Sequence, residues 1–318
     1  MKGNYGDKPF RGIYPALLTP ISEDGKIKKE GLKKLVSWEM ERGADGFYIG
    51  GATGECYSMD TEAREELAQT AINEMNGRGK SIVHIGAYSI RTGIRLAQHA
   101  ESVGADAVSA TPPPVYHYNI DEITEYYRIL SEAVKIPMIV YINTMFTEKN
   151  VVSAVTRILE LPNVIGAKFT RNNYYEMFQL SHLKGGKLNL LNGPDETLLC
   201  GLIMGADGGI GSTYNIMPDI YKKIYIAYLQ SNIEEAQRWQ FWADAVIGIL
   251  LKFGQIQSMK YLFCRKGIDI GKAEKPGAEL SQAEGKALMK ELKIIGYFHE
   301  YPELEFTYET VVCKVDYV

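Results

Sequence analysis

The sequence lacks the features that mark an exported or membrane-spanning protein. Its first residues, MKGNYGDKPFRG, contain no apolar segment of the kind that forms the centre of a signal peptide. No stretch approaches the roughly 18 uninterrupted apolar residues of a membrane-spanning helix. The cysteines are far apart without CxxC spacing, which argues against a disulfide framework and a zinc site; they are Cys56, Cys200, Cys264 and Cys313. These absences predict a soluble protein of the reducing cytoplasm.

Charge of one sign and the common cofactor motifs are missing as well. The formal net charge is -4, the pI is near 5.9, and no sustained basic run is present, so neither nucleic acid nor a membrane surface is an expected partner. The sequence has no HxH, no HExxH, no P-loop and no GxGxxG after a strand. The five histidines are scattered and are interpreted as structural or solvated: His84, His99, His117, His182 and His299. No metal site is therefore predicted.

What the sequence does contain is an alternation of short apolar runs with longer amphipathic stretches. Hydrophobic residues make up 46% of the 318 residues and charged residues 23%, which is sufficient for a large core. Stretches with apolar residues at i, i+3 and i+4 follow the apolar runs, as expected of helices that cover a parallel sheet. Eight strands are predicted, at residues 12–20, 45–51, 81–87, 105–113, 136–143, 164–170, 188–193 and 208–213. Eight such units over residues 10–230 predict an α/β protein, a (β/α)8 TIM barrel with its active site at the carboxyl ends of the strands.

Beyond residue 230 the pattern is helical only. Residues 231–298 are predicted to form a C-terminal helical extension, in which KAEKPGAEL (272–280) is a linker between the last two helices. The tail at 299–318 alternates weakly between apolar and polar residues. A short β segment, an interface arm and a partly disordered end are all open for that tail.

A single lysine interrupts the sixth predicted strand, IGAKFT (165–170). A charged lysine is almost never buried without a partner, because taking its charge out of water is costly. Two interpretations of Lys168 follow. Either the strand is assigned wrongly and the amine lies at an exposed end, or the amine is buried and attacks a carbonyl.

Other groups that could bind a small polar ligand follow several predicted strands. GGATGE (50–55) combines glycine backbone N–H groups with the Thr53 hydroxyl, and such nests bind carboxylate or phosphate. The other candidates are a strand-end phenol, a carboxylate pair and a hydroxyl in a glycine-rich turn: Tyr141, Asp195 with Glu196, and Ser212. Each also has an ordinary structural explanation as a tight turn, a core tyrosine or a helix cap. Their placement at one end of the barrel with Lys168 predicts Schiff-base chemistry on a polyhydroxylated acid.

Several longer strings carry a resemblance to a known family. In this order and with these separations, GGATGE, YINT, GAKFT, NGPDE and GADGGIGSTYNIMP resemble the pyruvate-dependent class I aldolase superfamily, which contains dihydrodipicolinate synthase and N-acetylneuraminate lyase. The resemblance covers residues 10 to about 295, and HIGAYSI with GADAVSATPP make it closest to the N-acetylneuraminate lyase branch. It implies a lyase that cleaves N-acetylneuraminate, or a related 2-keto-3-deoxy sugar acid, to pyruvate and an aldehyde sugar such as N-acetylmannosamine. It also implies a homotetramer and no external cofactor, because the imine is the electron sink.

The resemblance assigns roles residue by residue. Lys168 matches the Schiff-base lysine that attacks the C2 ketone, and Tyr141 matches the tyrosine that shuttles the C4 hydroxyl proton. The remaining matches bind the substrate carboxylate (Thr53 and Gly54), line the site (Thr170) or bind sugar hydroxyls (Gly193, Asp195, Glu196, Gly211 and Ser212).

Three positions depart from the family pattern. Ala52 stands where the family usually has a serine or threonine whose hydroxyl joins the proton relay. The loop after the fifth strand reads YINTMFTE, without the proline of the lyase form YxIPxxTG and without the arginine of the synthases. The tyrosine that a neighbouring subunit supplies in the family falls within PPPVYHYN, where Val115, Tyr116 and Tyr118 are the alternatives.

Three functions therefore remain open at the level of sequence. The first is N-acetylneuraminate lyase or a close relative acting on another sugar acid. The second is a different pyruvate-dependent aldolase or synthase of the family, in which the altered loop selects another aldehyde. The third is a catalytically weakened barrel that keeps the lysine and binds a ligand.

Overall fold

Eight parallel strands form the centre of the computed structural model, which describes residues 8–146 and 151–304. The strands are β1 Gly12–Pro15, β2 Gly46–Ile49, β3 Lys80–His84, β4 Ala107–Ala110, β5 Met138–Ile142, β6 Val164–Phe169, β7 Asn189–Asn192 and β8 Gly208–Gly211. Their order in the sheet is β1-β8-β7-β6-β5-β4-β3-β2, with every neighbouring pair parallel. A bridge between Ala16 and Tyr48 brings the two ends of the sheet together. The prediction of a TIM barrel is thereby confirmed.

Helices follow the strands around the outside of the barrel and continue beyond it. They are α1 Lys29–Glu41, α2 Thr61–Met75, α3 Ile90–Ser102, α4 Ile120–Glu132, α5 Val151–Leu159, α6 Tyr174–Ser181, α7 Leu198–Ile203, α8 Pro218–Leu229, α9 Ile233–Phe253, α10 Gln255–Arg265, α11 Gln282–Ile294 and α12 Tyr297–Glu300. The predicted strands were too long at their carboxyl ends. Residues such as Leu17 and Leu18 are fully buried although they lie past the end of β1, so an apolar run continues into loops that pack on the barrel.

The alternation of side chains along the strands produces two apolar layers. One cluster lies inside the barrel and includes Tyr14, Tyr48, Ile139 and Leu191. A larger cluster fills the space between the strands and the surrounding helices. Because successive side chains of a strand point to opposite faces, β1 to β7 contribute to both layers, whereas β8 is glycine at its other positions and contributes only Ile210 to the inner one. The inner layer is the one that leads to the barrel mouth.

The C-terminal extension packs on the last helices of the barrel. Helix α9 contacts α7 and α8, and α10 and α11 in turn contact α9. The stretch 272–280 forms no helix or strand, as expected of a linker. Helix α12 crosses the predicted boundary at residue 298, and a 3-10 turn at Pro302–Leu304 follows it. The remainder of the predicted tail lies outside the described residues, and the domain limits themselves stay predictions.

Two further expectations from the sequence concern membrane-spanning helices and disulfides. Within the described ranges, no helix combines the length and the apolar character needed to span a bilayer. Cys56, Cys200 and Cys264 form no disulfide, whereas Cys313 lies outside the part of the chain that the structure describes.

Glu39 of α1 is fully buried, and neither of its carboxylate oxygens has a hydrogen-bond partner among the described residues. Burial raises the pKa of this carboxyl well above its usual value of 4.5. The folded protein therefore holds a proton on Glu39 that the unfolded chain releases above that value. The stability contribution of the protonated carboxyl is fully present below pH 4.5 and is lost as the pH rises toward the folded-state pKa.

We expect Glu39→Gln to raise the free energy of unfolding at pH 8 by about 1–3 kcal/mol and to leave it nearly unchanged at pH 4.5. Glutamine keeps the size and polarity of the side chain but cannot ionise. Urea unfolding at both pH values measures the effect, with Glu39→Leu as the control that also removes the buried polar atoms. Equal effects of the glutamine variant at both pH values would show that ionisation of Glu39 is irrelevant.

Candidate active site

Lys168 is buried inside the barrel, with 6% of its surface exposed. It belongs to β6 and lies between Tyr141 of β5 and Leu191 of β7 in the sheet register. Its Nζ lies 4.2 Å from the ring centroid of Tyr141 and 4.4 Å from that of Tyr48. No carboxylate of the described residues forms an ion pair with it. The interpretation as an exposed strand end is therefore wrong, and Lys168 is a buried amine against two aromatic rings.

Aromatic rings line the barrel around this amine. Tyr141 and Tyr48 meet edge to face with centroids 6.2 Å apart, and His84 lies 6.4 Å from Tyr141. The Tyr48 hydroxyl donates to Ser109 Oγ at 3.1 Å. These contacts hold both rings in place, so the position of the amine is set by rigid groups of three different strands.

His84 is a member of the site that sequence reasoning missed. Its ring is buried, and this burial lowers its pKa to about 3, with the positive charge of Arg64 acting in the same direction. The neutral ring donates from Nδ1 to the Gly50 carbonyl at 3.1 Å and accepts at Nε2 from the Thr111 N–H at 3.4 Å. His84 thus fastens the glycine-rich loop after β2 to the end of β4. The sequence could have indicated this position. His84 lies two residues after the apolar Ile82, and residues at i and i+2 of a strand share a face.

The glycine-rich loop after β2 and the turn after β8 meet at Thr53. The Thr53 and Ser212 hydroxyl oxygens are 2.6 Å apart, and Thr53 is 8% exposed. Gly54 approaches so closely that a Cβ there would lie 2.9 Å from the Leu17 carbonyl. The Ala52 side chain is exposed and supplies no hydroxyl. The structure therefore brings Ser212 to Thr53, which lies 159 residues away in the sequence, and the binding of a substrate by Thr53, Gly54 and Ser212 stays a prediction.

Asp195 is buried, and its carboxylate holds the turn after β8. It accepts from the Ser212 N–H at 3.1 Å, and from both the N–H and the hydroxyl of Thr213 at 2.6 Å. Burial raises its pKa to about 6, while the hydrogen bonds from Thr213 oppose that shift. Gly211 is required here, since a Cβ would lie 2.5 Å from Asp195 Oδ1. The observed contacts of Asp195 position Ser212, and its binding of a substrate hydroxyl stays a prediction, as does that of the exposed Glu196.

Thr170 and Gly193 lie at the ends of neighbouring strands. The Thr170 N–H donates to the Ile142 carbonyl and the Gly193 N–H donates to the Phe169 carbonyl, each at 2.8 Å. A Cβ at Gly193 would lie 1.9 Å from Thr170 Oγ1, so only glycine fits. Thr170 Oγ1 is buried and has no hydrogen-bond partner among the described residues. Buried hydroxyls are rarely left unpaired, and the role of Thr170 in lining the site stays a prediction.

The three alternatives for the tyrosine that a neighbouring subunit supplies in the family lie exposed in the segment after β4. Val115 has a φ of 87°, in the left-handed region that a β-branched residue rarely adopts. Its side chain is 71% exposed, and the neighbouring Tyr116 and Tyr118 are also exposed. The two tyrosine rings contact each other at 6.2 Å. None of the three side chains is shown in contact with Lys168 or Tyr141.

Glu55 connects the glycine-rich loop to the C-terminal extension. Its Oε1 forms an ion pair with Lys260 Nζ of α10 at 2.6 Å, and its Oε2 accepts from the Glu274 N–H at 2.5 Å. The side chains of Glu55 and Lys260 are only 11% and 2% exposed. Lys260 Nζ also donates to the Lys272 carbonyl at 2.7 Å. The extension therefore supports the loop that carries Thr53 and Gly54.

We expect Lys260→Met to lower the free energy of unfolding by about 3–5 kcal/mol, because it leaves the Glu55 carboxylate buried without a cation. Urea unfolding measures this effect. Lys252→Met is the matched control, because its pair with Glu291 is 59% and 33% exposed. A Lys260→Met loss no larger than that of the control would contradict the role of this pair.

Among residues 8–146 and 151–304, no group of three or more His, Cys, Asp or Glu side chains is arranged to hold a metal ion. An amine, phenols and hydroxyls lie at the carboxyl ends of the strands. Fold and site together place the chain in the class of (β/α)8-barrel proteins with a buried lysine at the barrel mouth.

The chain belongs to the dihydrodipicolinate synthetase family, whose sequence profile matches residues 9–295. It is 34% identical over 279 residues to the N-acetylneuraminate lyase of Rhizobium meliloti (strain 1021), which covers 88% of this chain and 93% of that protein. It is 36% identical over 293 residues to the N-acetylneuraminate lyase of Enterobacter sp. (strain 638), covering 90% and 98%. The resemblance seen in the sequence is thereby confirmed.

Two solved structures are similar over the same region. N-acetylneuraminate lyase from Mycoplasma synoviae superposes with a TM-score of 0.83 at 30% identity, covering 91% of this chain and 97% of that one. CdNal from Clostridium difficile, in complex with mannosamine, superposes with a TM-score of 0.86 at 25% identity, covering 91% and 100%.

Proposed function

We propose that this chain is a pyruvate-dependent class I aldolase that cleaves N-acetylneuraminate, or a related 2-keto-3-deoxy sugar acid, to pyruvate and an aldehyde sugar. The observation that carries the proposal is the buried Lys168 amine, which lies against aromatic rings and forms no ion pair with a carboxylate of residues 8–146 or 151–304. Such an amine is not neutralised by a salt bridge and can serve as a nucleophile once it has lost its proton. The family and the lyase relatives support the reaction class.

In the proposed reaction, Lys168 Nζ attacks the C2 ketone, and loss of water forms a protonated imine. The Tyr141 hydroxyl takes up the C4 hydroxyl proton and passes it toward the substrate carboxylate. The C3–C4 bond then breaks, its electron pair moves to the imine nitrogen, and the aldehyde leaves. Protonation of the resulting enamine at C3 and hydrolysis of the imine release pyruvate and the free amine. The imine is the electron sink, and no metal or organic cofactor takes part in these steps.

The remaining site groups bind the substrate. Thr53 and the backbone of Gly54 hold the carboxylate, and Thr170 offers its unpaired hydroxyl at the mouth. The sugar hydroxyls are bound by Gly193, Asp195, Glu196, Gly211 and Ser212. This arrangement is supported by the meeting of the β2 loop with the turn after β8 at Thr53.

A steady-state assay tests the substrate. The purified enzyme is given N-acetylneuraminate and, separately, sugar acids that differ at C5 or beyond, and pyruvate release is followed with a coupled dehydrogenase. We expect turnover of at least one of them, with an aldehyde sugar formed in equal amount. The absence of turnover with all of them, by protein that still forms an adduct with pyruvate, would instead favour a different pyruvate-dependent reaction. The changed turn after β5 is the observation that favours that second candidate.

We also propose that the enzyme assembles as a homotetramer. Large apolar side chains are exposed on α6 and α7, with Tyr175, Phe178 and Ile203 at 67%, 42% and 52% exposure. An exposed group of this kind is typical of an association surface. Sedimentation velocity measures the assembly directly.

A further inference from the structure

Arg171 ties together the two loops that follow β5 and β6. Its Nη1 donates to the Phe146 carbonyl at 2.9 Å and to the Asn143 carbonyl at 3.3 Å. Its Nε donates to Glu176 Oε2 at 3.1 Å, and the two side chains are only 20% and 11% exposed. The guanidinium is therefore a largely buried clamp between the two loops.

The turn that Arg171 binds has an internal structure of its own. The Asn143 side chain accepts from the Met145 N–H at 3.0 Å, and the Asn143 carbonyl accepts from the Phe146 N–H at 3.2 Å. The Phe146 side chain is buried at 1% exposure and anchors the end of the turn. These contacts define the shape of the turn, and the guanidinium fixes where the turn lies relative to β6.

The residues of the clamp follow the proposed catalytic pair closely along β5 and β6. Asn143 is two residues beyond Tyr141, and Arg171 is three residues beyond Lys168. Thr170, whose hydroxyl is unpaired among the described residues, comes directly before Arg171 in the sequence. In the proposed reaction Tyr141 acts at the C4 hydroxyl, so the turn that follows it borders the half of the substrate that leaves as the aldehyde. A shift of this turn therefore changes the space around that half and not the attachment of pyruvate.

The sequence of the turn explains why a clamp is needed. YINTMFTE has no proline, and a proline would restrict the backbone by fixing φ. Without that restriction, the position of the turn depends on contacts from outside it. Arginine suits this role because its planar fork can bond two carbonyls and a carboxylate at once, which the single ammonium of lysine does less well.

We infer that Arg171 is a specificity-determining positioning residue, which fixes the wall that faces the aldehyde half of the substrate. This inference rests on the proposed aldolase function. It goes beyond that function because the residue touches neither the imine nor the C4 proton and acts through the turn at 143–146.

The test compares Arg171→Ala with Arg157→Ala, a matched control on α5 whose side chain is 59% exposed and pairs with Asp121. Three readouts are used: KM and kcat for sugar-acid cleavage, the relative rates with a panel of acceptor aldehydes, and borohydride trapping of pyruvate on Lys168. We expect Arg171→Ala to raise KM for the sugar acid by about 10- to 100-fold, because a small displacement of a positioning group has effects of that order. The differences in rate among the acceptor aldehydes should become smaller, whereas the amount of pyruvate trapped on Lys168 should match wild type. Arg157→Ala should match wild type in all three readouts.

Two milder variants test the same contact in case Arg171→Ala does not fold. Glu176→Gln keeps the size of the side chain but removes the charge that orients Arg171, and it should raise KM by less than Arg171→Ala does. Arg171→Lys should recover part of the discrimination. Folded variants with wild-type KM and wild-type aldehyde preference would overturn the inference while leaving the aldolase function intact. A wild-type protein that traps no pyruvate would overturn both.

Discussion

Replacing Lys168 by alanine is expected to abolish the borohydride-trapped pyruvate adduct and to lower sugar-acid cleavage by at least about 10⁴-fold, as expected when a covalent nucleophile is removed. The physical reason is that no other described lysine is placed inside the barrel beside Tyr141. The adduct is measured by intact mass and peptide mapping after pyruvate and sodium borohydride are added.

The Lys168→Ala protein should remain folded. The amine has no carboxylate partner among the described residues, so its removal leaves no buried charge behind, in contrast to the loss of Lys260. Lys168→Met is a second variant that fills most of the space between the two rings. Lys187, an exposed lysine before β7, provides the control substitution Lys187→Ala, which should form the adduct as wild type does.

Two results would contradict the role of Lys168. One is an adduct that maps to another lysine in the wild-type protein. The other is the absence of any adduct on folded wild-type protein at saturating pyruvate, which would favour a barrel that binds a ligand without turnover.

Replacing Tyr141 by phenylalanine is expected to lower kcat for cleavage by about 10²- to 10⁴-fold, the usual range for loss of a general acid–base group. Phenylalanine keeps the ring that lies 4.2 Å from Lys168 Nζ and removes only the hydroxyl. Trapping of pyruvate should therefore persist, because imine formation needs the amine and its aromatic surroundings. The change separates proton transfer at C4 from attachment of the keto acid.

Tyr48→Phe is the matched control for Tyr141. It removes the hydroxyl from the other ring over Lys168, and that hydroxyl donates to Ser109 instead of facing the substrate in the proposed reaction. A loss of about 1 kcal/mol in the free energy of unfolding is expected from the broken hydrogen bond, with cleavage close to wild type. If Tyr141→Phe and Tyr48→Phe had equal effects on kcat, the hydroxyl of Tyr141 would have no special part in the reaction.

The periodicity of the sequence was sufficient for the barrel, since apolar runs and amphipathic stretches depend on local alternation. Lys168 and Tyr141 could be selected because a lysine inside an apolar run and a strand-end phenol are visible in a few residues. The positions of Tyr48 and His84 at the site were missed. Both lie within apolar strands where an aromatic or histidine side chain is unremarkable, and their proximity to Lys168 depends on strands that are distant in the sequence.

Local sequence patterns also could not predict which loops contact each other. Asp195 and Ser212 were both predicted as ligand-binding residues, but the structure shows the first holding the turn that carries the second. The ion pair of Glu55 with Lys260 joins a loop of the barrel to a helix of the C-terminal extension. No role was predicted for Arg171 from the sequence, because nothing in the string KFTRNN indicates that its partners are backbone carbonyls of another loop.

The sequence by itself therefore determined the order and type of the elements, the family and the two residues proposed for catalysis. Closure of the sheet and its register decided which rings surround Lys168, which loops meet at Thr53 and which guanidinium holds the turn after Tyr141. The physical reason is that strand and helix periodicity are properties of neighbouring residues, whereas side-chain contacts across a barrel depend on how all eight strands are aligned at once.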